Sequence, residues 1–312
     1  MPAEARRVRS VLESRPTMEG AGVRLRRAFG GPELAKLFDP FLLLDDFGSR
    51  FPHEYLAGFP WHPHRGIETV TYLIKGEVHH EDSTGTKGVI RTGEIQWMTA
   101  GSGVYHSEMP KPQRMEVEGK LVEDPEMKGI QLWVNLPAGS KMTDPKYRNL
   151  QPKDVPRLTL DDGTSVKLVS GEIANVPGTG KVKGPVSDLS VDVHYLDVSM
   201  PDSSSFEYRL PPSFNAFAYL LEGEATFGRS ANEPARSKEV VLFEREGESI
   251  KVKTRDLGAR FLLIGGIPLN EPVAWYGPIV MNTQEQLARA MEDLREGSFI
   301  RHKATTYDYF RN

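Results

Sequence analysis

Runs of apolar and β-branched residues in this chain are short, and turns that contain glycine separate them. In the first half such runs cover Ile67–Lys75, Gly88–Arg91 and Ile95–Met98, and Gly129–Leu136 follows further along. A new run begins about every 8–12 residues, which is typical of an antiparallel sandwich or a small barrel. The pattern therefore predicts an all-β, jelly-roll fold with many tight turns.

One helix is predicted, close to the C-terminus. Thr283 and Gln286 have the spacing of a capping box, and Leu287, Met291 and Leu294 follow at helical spacing. Gly297 then ends the pattern. The apolar stripe predicts a short helix that packs on a barrel face.

An internal repeat predicts the domain organisation. The sequence YLIKGE at Tyr72–Glu77 recurs as YLLEGE at Tyr219–Glu224, and Gly93-Glu94 recurs as Gly247-Glu248. Two copies of one strand–turn–strand unit indicate a duplicated barrel. We therefore expect an N-terminal barrel over residues 1–140, a C-terminal barrel over 141–281, and a helix and tail over 282–312. The polar segments 110–128 and 176–186 are predicted to be long surface loops, and the first has the length of a functional lid.

Composition narrows the possible functions. The 312 residues include no cysteine, which excludes thiolate catalysis, zinc ribbons and iron–sulfur clusters. The formal net charge of -4 gives no electrostatic footprint for direct binding of nucleic acid. No long apolar run indicates a membrane span, and the first residues do not resemble a secretory signal. We expect a cytoplasmic protein, or one that also enters the nucleus if its source is eukaryotic.

Two pairs of side chains point to a metal site. His62 and His64 are two residues apart, and His106 and Glu108 repeat that spacing. In an extended chain such neighbours lie on the same face, so each strand can direct two ligands into one barrel. Three imidazoles and a carboxylate would leave coordination positions of an octahedral ion open, as a catalytic metal requires. A single HxH pair also occurs by chance, and the second pair is what favours a site.

The second half of the chain serves as an internal comparison. Aligned through Gly223, His62 and His64 correspond to Arg209 and Pro211. Aligned through Gly247, His106 and Glu108 correspond to Arg260 and Leu262. Because all four ligands are lost together, we expect one divalent ion per chain, in the first barrel. Fe(II) is favoured, and Mn, Co, Ni, Cu and Zn remain open. Glu68 and Gln96 are candidates to orient the ligating histidines.

Several segments together resemble the pirin family of the cupin superfamily. They cover Phe38–Gly48, Gly58–Asp82, Gly93–Pro110, Gly129–Pro137 and Gly277–Thr283, in the same order as in pirins. The resemblance implies a bicupin fold with iron held by His62, His64, His106 and Glu108. It also implies that Glu68, the ligand position of many other cupins, is not a pirin ligand. The segment 110–128 is longer and more charged than the corresponding pirin loop.

The resemblance implies two kinds of activity. Many pirins are similar to quercetin 2,3-dioxygenases, which open a flavonol ring with O2. Glu108 would then also act as a base, and Phe59, Gln131 and Trp133 would line the pocket. The alternative is a non-enzymatic, iron- and redox-sensing cofactor that binds a regulatory or metabolic protein. A cupin that binds a small molecule without redox chemistry, such as an isomerase, is a third possibility.

Overall fold

Antiparallel strands supply most of the regular structure, as the short apolar runs predict. The structure, a computed structural model, describes residues 4–176, 180–229 and 233–308. The strands of the first half are β1 (Val8–Glu13), β2 (Arg15–Glu19), β3 (Val23–Gly30), β4 (Phe41–Phe47), β5 (Phe59–His64), β6 (Ile67–Lys75), β7 (Glu77–Asp82), β8 (Lys87–Arg91), β9 (Ile95–Thr99), β10 (Val104–Lys111), β11 (Gln113–Val117), β12 (Lys120–Asp124), β13 (Lys128–Asn135) and β14 (Lys146–Leu150).

The second half continues in the same way. Its strands are β15 (Arg157–Thr159), β16 (Ser165–Ser170), β17 (Glu172–Val176), β18 (Gly180–Lys183), β19 (Val193–Met200), β20 (Ser205–Arg209), β21 (Asn215–Phe227), β22 (Ala235–Arg236), β23 (Glu239–Phe243), β24 (Ser249–Lys253), β25 (Ala259–Gly266), β26 (Ala274–Tyr276), β27 (Ile279–Met281) and β28 (Thr305–Asp308). Helices α1 (Pro32–Phe38) and α2 (Gln284–Glu296) and the 3-10 turns Pro52–Glu54 and Ala138–Ser140 complete the described elements. The all-β prediction is confirmed.

The chain forms two compact units built from non-consecutive ranges. The N-terminal barrel comprises the described parts of residues 15–37, 41–152 and 270–312, and the C-terminal barrel those of 1–14, 38–40 and 153–269. The boundaries predicted at 140 and 281 assume continuous domains and stay a prediction.

In the N-terminal barrel two sheets enclose the interior. The larger has the order β2-β3-β4-β13-β6-β9-β14-β28, and the smaller has the order β5-β10-β7-β8. A hydrogen bond from Thr71 on β6 to Glu108 on β10 crosses from one sheet to the other, so both side chains point inward. A core of buried apolar residues includes Leu25, Phe47 and Leu73.

The C-terminal barrel is built on the sheet order β1-β23-β21-β25-β19-β16-β15, with β20 and β24 paired beside it. Its interior is a large apolar cluster that includes Phe206, Phe227 and Phe261. Burial of this many aliphatic and aromatic side chains is the main term that stabilises such a domain without disulfides.

The repeat motif occupies equivalent strands in the two barrels. Tyr72 on β6 and Tyr219 on β21 are both buried; Tyr72 lies opposite Ile95 on β9, and Tyr219 lies opposite Val240 on β23, the strand that corresponds to β9. The glycines of the two motifs, Gly76 and Gly223, have φ values of +104° and +71°, which glycine adopts without a steric cost. The duplication inferred from the sequence is therefore confirmed in the fold.

Helix α2 also follows its prediction. Thr283 and Gln286 form both hydrogen bonds of the capping box, and Gly297 ends the helix with φ +73°. Leu287 is buried, with Met291 and Leu294 packed beside it on a small apolar cluster. Helix α1 was not predicted, because seven residues are too few to show a helical period.

The two predicted surface loops are wrong in detail. Within 110–128 the strands β11 and β12 pair as a hairpin, and its turn residues Glu118 and Gly119 have φ values of +52° and +75°. Positive φ at both positions is the geometry of a tight hairpin turn. Within 176–186 the strand β18 pairs with β17, and residues 177–179 of that segment lie outside the described residues. These strands carry many charged side chains, so the sequence shows no clear alternation of apolar and polar residues there.

Candidate metal centre

Strands β5 and β10 bring the predicted ligands together. They are antiparallel neighbours in which His62 lies opposite His106 and His64 lies opposite Val104. The two-residue spacing in each strand keeps the side chains on the inner face. The register shifts between His106 and Glu108, which marks a bulge: Glu108 lies opposite Phe59 and not opposite Pro60.

The three imidazoles converge through the same ring atom. Nε2 of His62 lies 3.0 Å from Nε2 of His64 and 3.0 Å from Nε2 of His106. Two nitrogen ligands that bind one ion at about 2.1 Å and at right angles lie about 3.0 Å apart. The spacing therefore fits a shared metal ion. Within the described residues, these three histidines form the one group whose ligand atoms are this close.

The protonation of the histidines also fits metal binding. Nδ1 of His62 donates to the Pro60 carbonyl oxygen at 2.8 Å, which leaves the lone pair of Nε2 free. Burial lowers the pKa of His64 and of His106 well below the usual value, and neighbouring imidazoles lower it further. Neutral imidazole is the form that binds a metal.

Glu108 lies beside this cluster. Its Oε2 atom is 3.9 Å from Nε2 of His106, and Thr71 Oγ1 donates to its Oε1 over 3.4 Å. Burial raises the pKa of Glu108 to about 7, and the hydrogen bond from Thr71 opposes that shift. A carboxyl group that is close to half ionised at neutral pH can accept or release a proton there.

His62, His64 and Glu108 are part of the wall of a cavity of about 670 Å³. Phe59, Gln131 and Trp133, the three pocket residues expected from the sequence, all lie on this wall. The Trp133 ring meets the His64 ring edge to face, with 5.2 Å between centroids. The Thr71 hydroxyl also lies 2.6 Å from Gln131 Oε1, and it shares its one hydrogen between this oxygen and Oε1 of Glu108.

Other parts of the wall were not predicted. Asp45 lies on it and forms a two-point ion pair with Arg27, with both N–O distances 2.8 Å. Trp61 and Trp275 are further aromatic lining residues, and Trp61 stacks on Tyr105. Asp45 reaches the cavity through the pairing of β4 with β13, and Trp275 reaches it through the return of the chain after residue 270, so no local motif identifies these two.

Glu68 and Gln96 do not line this cavity. The carboxylate of Glu68 accepts from Trp97 Nε1 at 2.8 Å and from Thr99 Oγ1 at 2.6 Å. Gln96 Nε2 bonds to Nε2 of His80 at 3.0 Å and to Oδ1 of Asn149 at 3.0 Å. Their suggested role in orienting the ligating histidines stays a prediction.

Gln96 belongs to a polar row that crosses the larger sheet. Residues paired in register on β4, β13, β6, β9 and β14 are, in that order, Asp45, Gln131, Thr71, Gln96 and Asn149. Register partners point to the same side of a sheet, and Thr71 points to Glu108, so the row faces the interior. We name these five residues the polar row.

The sequence alignment of the second half is wrong for the second ligand pair. Gly93 precedes β9, whereas Gly247 precedes β24. Strand β24 pairs with β20 as β10 pairs with β5, so β24 is the counterpart of β10. Arg260 and Leu262 instead lie on β25, which pairs with β21 as β13 pairs with β6. The turns of the two copies differ in length. An alignment that matches one pair of glycines therefore assigns wrong counterparts to the residues of the following strand.

Register assigns other counterparts to the four ligands. The sequence alignment matched His62 and His64 with Arg209 and Pro211. In the structure the matching residues lie one position earlier in the chain. The residues at the ligand positions are Tyr208, Leu210, Ile250 and Val252. All four are buried in the apolar core of the C-terminal barrel. These positions therefore offer aliphatic and phenol groups where the N-terminal barrel has imidazoles and a carboxylate.

Comparisons with known proteins agree with this architecture. Residues 22–134 match the family model described as Pirin, and residues 195–300 match the Pirin C-terminal cupin domain. A pirin-like protein of Caulobacter vibrioides is 42% identical over 294 residues, which cover 94% of this chain and 99% of that protein. Pirin of Homo sapiens is 37% identical over 300 residues, which cover 96% of this chain and 95% of that protein.

A solved structure extends the comparison to the fold. The crystal structure of quercetin 2,3-dioxygenase from Acinetobacter baumannii superposes with a TM-score of 0.80 at 30% identity, covering 95% of this chain and 99% of that one. In the part of the chain that the structure describes, no helix is long and apolar enough to cross a membrane. The two family-model matches agree with the duplicated barrels and the histidine cluster seen in the structure. The chain belongs to the pirin family of bicupin proteins.

Proposed function

We propose that His62, His64, His106 and Glu108 hold one divalent metal ion. Three converging Nε2 atoms, the fixed tautomer of His62 and the buried carboxylate beside His106 support this assignment. Three nitrogens and one oxygen form a donor set that suits Fe(II) and leaves further coordination positions. We take Fe(II) as the resident ion. Divalent Mn, Co, Ni, Cu and Zn can bind the same set of donor atoms and are the alternatives.

We further propose that the chain opens the ring of a flavonol-like substrate with O2, as a quercetin 2,3-dioxygenase does. The observation that carries this proposal is the position of His62, His64 and Glu108 on the wall of an aromatic cavity of about 670 Å³. Cavities of this size and lining bind planar aromatic ligands through ring packing. The structural likeness to the quercetin 2,3-dioxygenase of Acinetobacter baumannii supports the same reaction class.

The residues around the cluster have distinct roles in this proposal. Phe59 and Trp133 pack on the faces and edges of the substrate rings and exclude water. Gln131 uses its carbonyl oxygen on Thr71, so its amide NH2 is the group that donates to a substrate oxygen. Each contact orients the substrate with its hydroxyl group toward the histidines.

Glu108 is the proposed base. Burial raises its pKa to about 7 in the metal-free site, and a bound divalent ion favours the carboxylate, which is the form that takes the proton of a substrate hydroxyl group. A bound divalent ion lowers the pKa of a hydroxyl group that coordinates it, which favours the same deprotonation. Burial of Glu108 then keeps the transferred proton away from bulk water.

The test is aerobic turnover of quercetin by protein loaded with Fe(II), followed by loss of the flavonol and release of carbon monoxide. We expect turnover by the wild type and by His79→Ala, whose partly exposed side chain lies 3.3 Å from Glu77 and is not part of the histidine cluster. We expect none from His106→Ala. Absence of turnover with each of the six metals would refute the enzymatic proposal. It would leave the iron-dependent protein-binding role, whose test is a partner that distinguishes Fe(II) from Fe(III) protein.

A further inference from the structure

Three charged side chains on the wall of the histidine cavity have no role in the proposed metal site. They are Glu19 on β2, Arg27 on β3 and Asp45 on β4. Arg27 lies directly opposite Asp45 of the polar row. The cavity therefore has a second charged region besides the proposed metal ligands.

This charged region lies at a distance from the proposed ligands. Strand β13 separates Asp45 from Thr71, and Gln131 lies between them in register. Neighbouring strands are about 4.8 Å apart, so Asp45 lies about 10 Å along the sheet from Thr71, whose hydroxyl group donates to Glu108. A ligand that contacts both Glu108 and Asp45 must therefore be as long as a molecule of two or three joined aromatic rings.

Two carboxylates hold the guanidinium group of Arg27 in place. Nε and Nη2 each donate to one oxygen of Asp45 at 2.8 Å, and Nη2 also lies 2.8 Å from Oε1 of Glu19. Nη1 forms no hydrogen bond or ion pair to any described residue. Its two N–H groups can therefore donate to a ligand, and the carboxylate of Asp45 has lone pairs left to accept from one.

The two-point pair of Arg27 with Asp45 has a fixed, planar geometry. It presents a charged donor beside a charged acceptor. A phenol can donate its O–H to the carboxylate or accept an N–H from the guanidinium group, and two adjacent phenols do both at once. Glu19 and Asp45 give this region two negative charges against one positive charge, so it favours a neutral hydroxylated ring over a carboxylate or a phosphate.

We propose that Arg27 and Asp45 determine substrate specificity by binding a ring that carries adjacent hydroxyl groups, while the other end of the substrate faces the histidines. This specificity rests on the proposed flavonol reaction, and the ring is the phenyl substituent of the ring that the reaction opens. A site that binds a substrate hydroxyl group rejects an analogue without it, because the analogue leaves buried polar groups without partners.

Two flavonols that differ only in this ring test the proposal. Quercetin carries adjacent hydroxyl groups on its phenyl substituent, and galangin carries none. Binding is measured by quenching of tryptophan fluorescence, since Trp61, Trp133 and Trp275 line the cavity. The full chain is loaded with Fe(II) and kept under argon, so that the flavonol binds without being consumed.

Two variants change the pair in different ways. Asp45→Asn keeps the shape of the side chain and removes its charge, whereas Arg27→Lys keeps the charge and removes the Nη1 donor. The matched control is Asp46→Asn, at the next residue of β4, whose side chain does not line the cavity. Circular dichroism verifies that each variant remains folded.

We expect the wild type and Asp46→Asn to bind quercetin at least about tenfold more tightly than galangin, a difference of about 1.4 kcal/mol. In Asp45→Asn and Arg27→Lys the preference should fall to within about threefold, through weaker binding of quercetin and not through a change in galangin binding. The proposal is overturned if the wild type binds the two flavonols alike or binds neither, or if the preference persists in a folded variant of the pair. Turnover of quercetin without this preference would leave the proposed reaction standing, and the preference without turnover would refute only the reaction.

Discussion

The Nε2 atoms of His62 and His106 lie 3.0 Å apart although 44 residues separate them in the chain. Antiparallel pairing of β5 with β10 places the two residues directly opposite each other. Two neutral imidazoles at this distance direct polar atoms at one point, and a metal ion is the partner that satisfies all of them at once. Four predictions follow from this site and its supports.

Replacement of His62 by alanine should abolish stable metal binding. It removes one of three converging nitrogens and leaves the barrel core unchanged, so we expect bound metal to fall by at least about tenfold. The measurement is elemental analysis of purified protein after dialysis. His79→Ala is the matched control and should keep its metal, since that histidine lies on β7 away from the cluster. Equal metal contents in the two variants would contradict the assignment.

The protein should lose stability as the pH falls below about 6.5, and it should release the metal at a lower pH, where the folded histidines themselves take up protons. His64 and His106 have folded-state pKa values below the ordinary value, so the folded protein binds fewer protons than the unfolded chain in this range. The stability contributed by the neutral histidines is therefore present above pH ~6.5 and declines below it. Metal content and melting temperature after dialysis at several pH values measure this. A melting temperature that chelator does not change at pH 7.5 would argue against a bound structural ion.

Glu108→Gln should stabilise the metal-free protein at alkaline pH. Burial raises the pKa of Glu108 to about 7, so ionisation of this carboxyl group opposes folding as the pH rises from about 4.5 through 7. The amide cannot ionise, and the difference in unfolding free energy between variant and wild type should grow to about 3 kcal/mol above pH 8. Urea unfolding of chelated protein at pH 5 and pH 8 gives the two differences. A difference that is the same at both pH values would show that Glu108 ionises normally.

Asp293→Asn should destabilise the N-terminal barrel strongly. Arg65 directly follows His64, a proposed metal ligand, and its guanidinium group lies 2.7 Å from Asp293 with both side chains buried. Loss of the carboxylate leaves a buried cation without its charge partner, which costs about 3–5 kcal/mol. The change in unfolding free energy in urea is the measurement.

Glu292→Gln, in the exposed pair with Arg289 on the same helix, is the control for this substitution. Solvent screens that pair, so its loss should cost less than about 1 kcal/mol. If the two variants lost similar stability, the buried pair would contribute no more than a surface contact.

The sequence predicts correctly that the four side chains come together, because each pair is local. Two residues of spacing in an extended strand are enough to place His62 beside His64, and the same holds for His106 and Glu108. The repeat is visible for a similar reason, since the tight turns after Tyr72 and Tyr219 each need a glycine. Where spacing along the chain fixes geometry, the prediction and the structure agree.

Pairing between distant strands is what the sequence does not reveal. Asp45 reaches the cavity wall only because β4 pairs with β13, and Trp275 only because the chain returns after the second barrel. The hairpin of β11 and β12 was missed because its strands are exposed and charged, so no buried face imposes a visible alternation.

The polar row restricts which strand alignments the N-terminal barrel tolerates. A slip of one residue in β6 would turn Thr71 outward and carry the phenol ring of Tyr72 into the space beside Glu108. The hydrogen bonds of Gln131 and Glu108 to Thr71 would be lost, and their buried polar groups would have to find new partners. The side chains of the polar row therefore destabilise misaligned sheets. Only the correct register satisfies their hydrogen bonds, and the same register brings the residues of the site together.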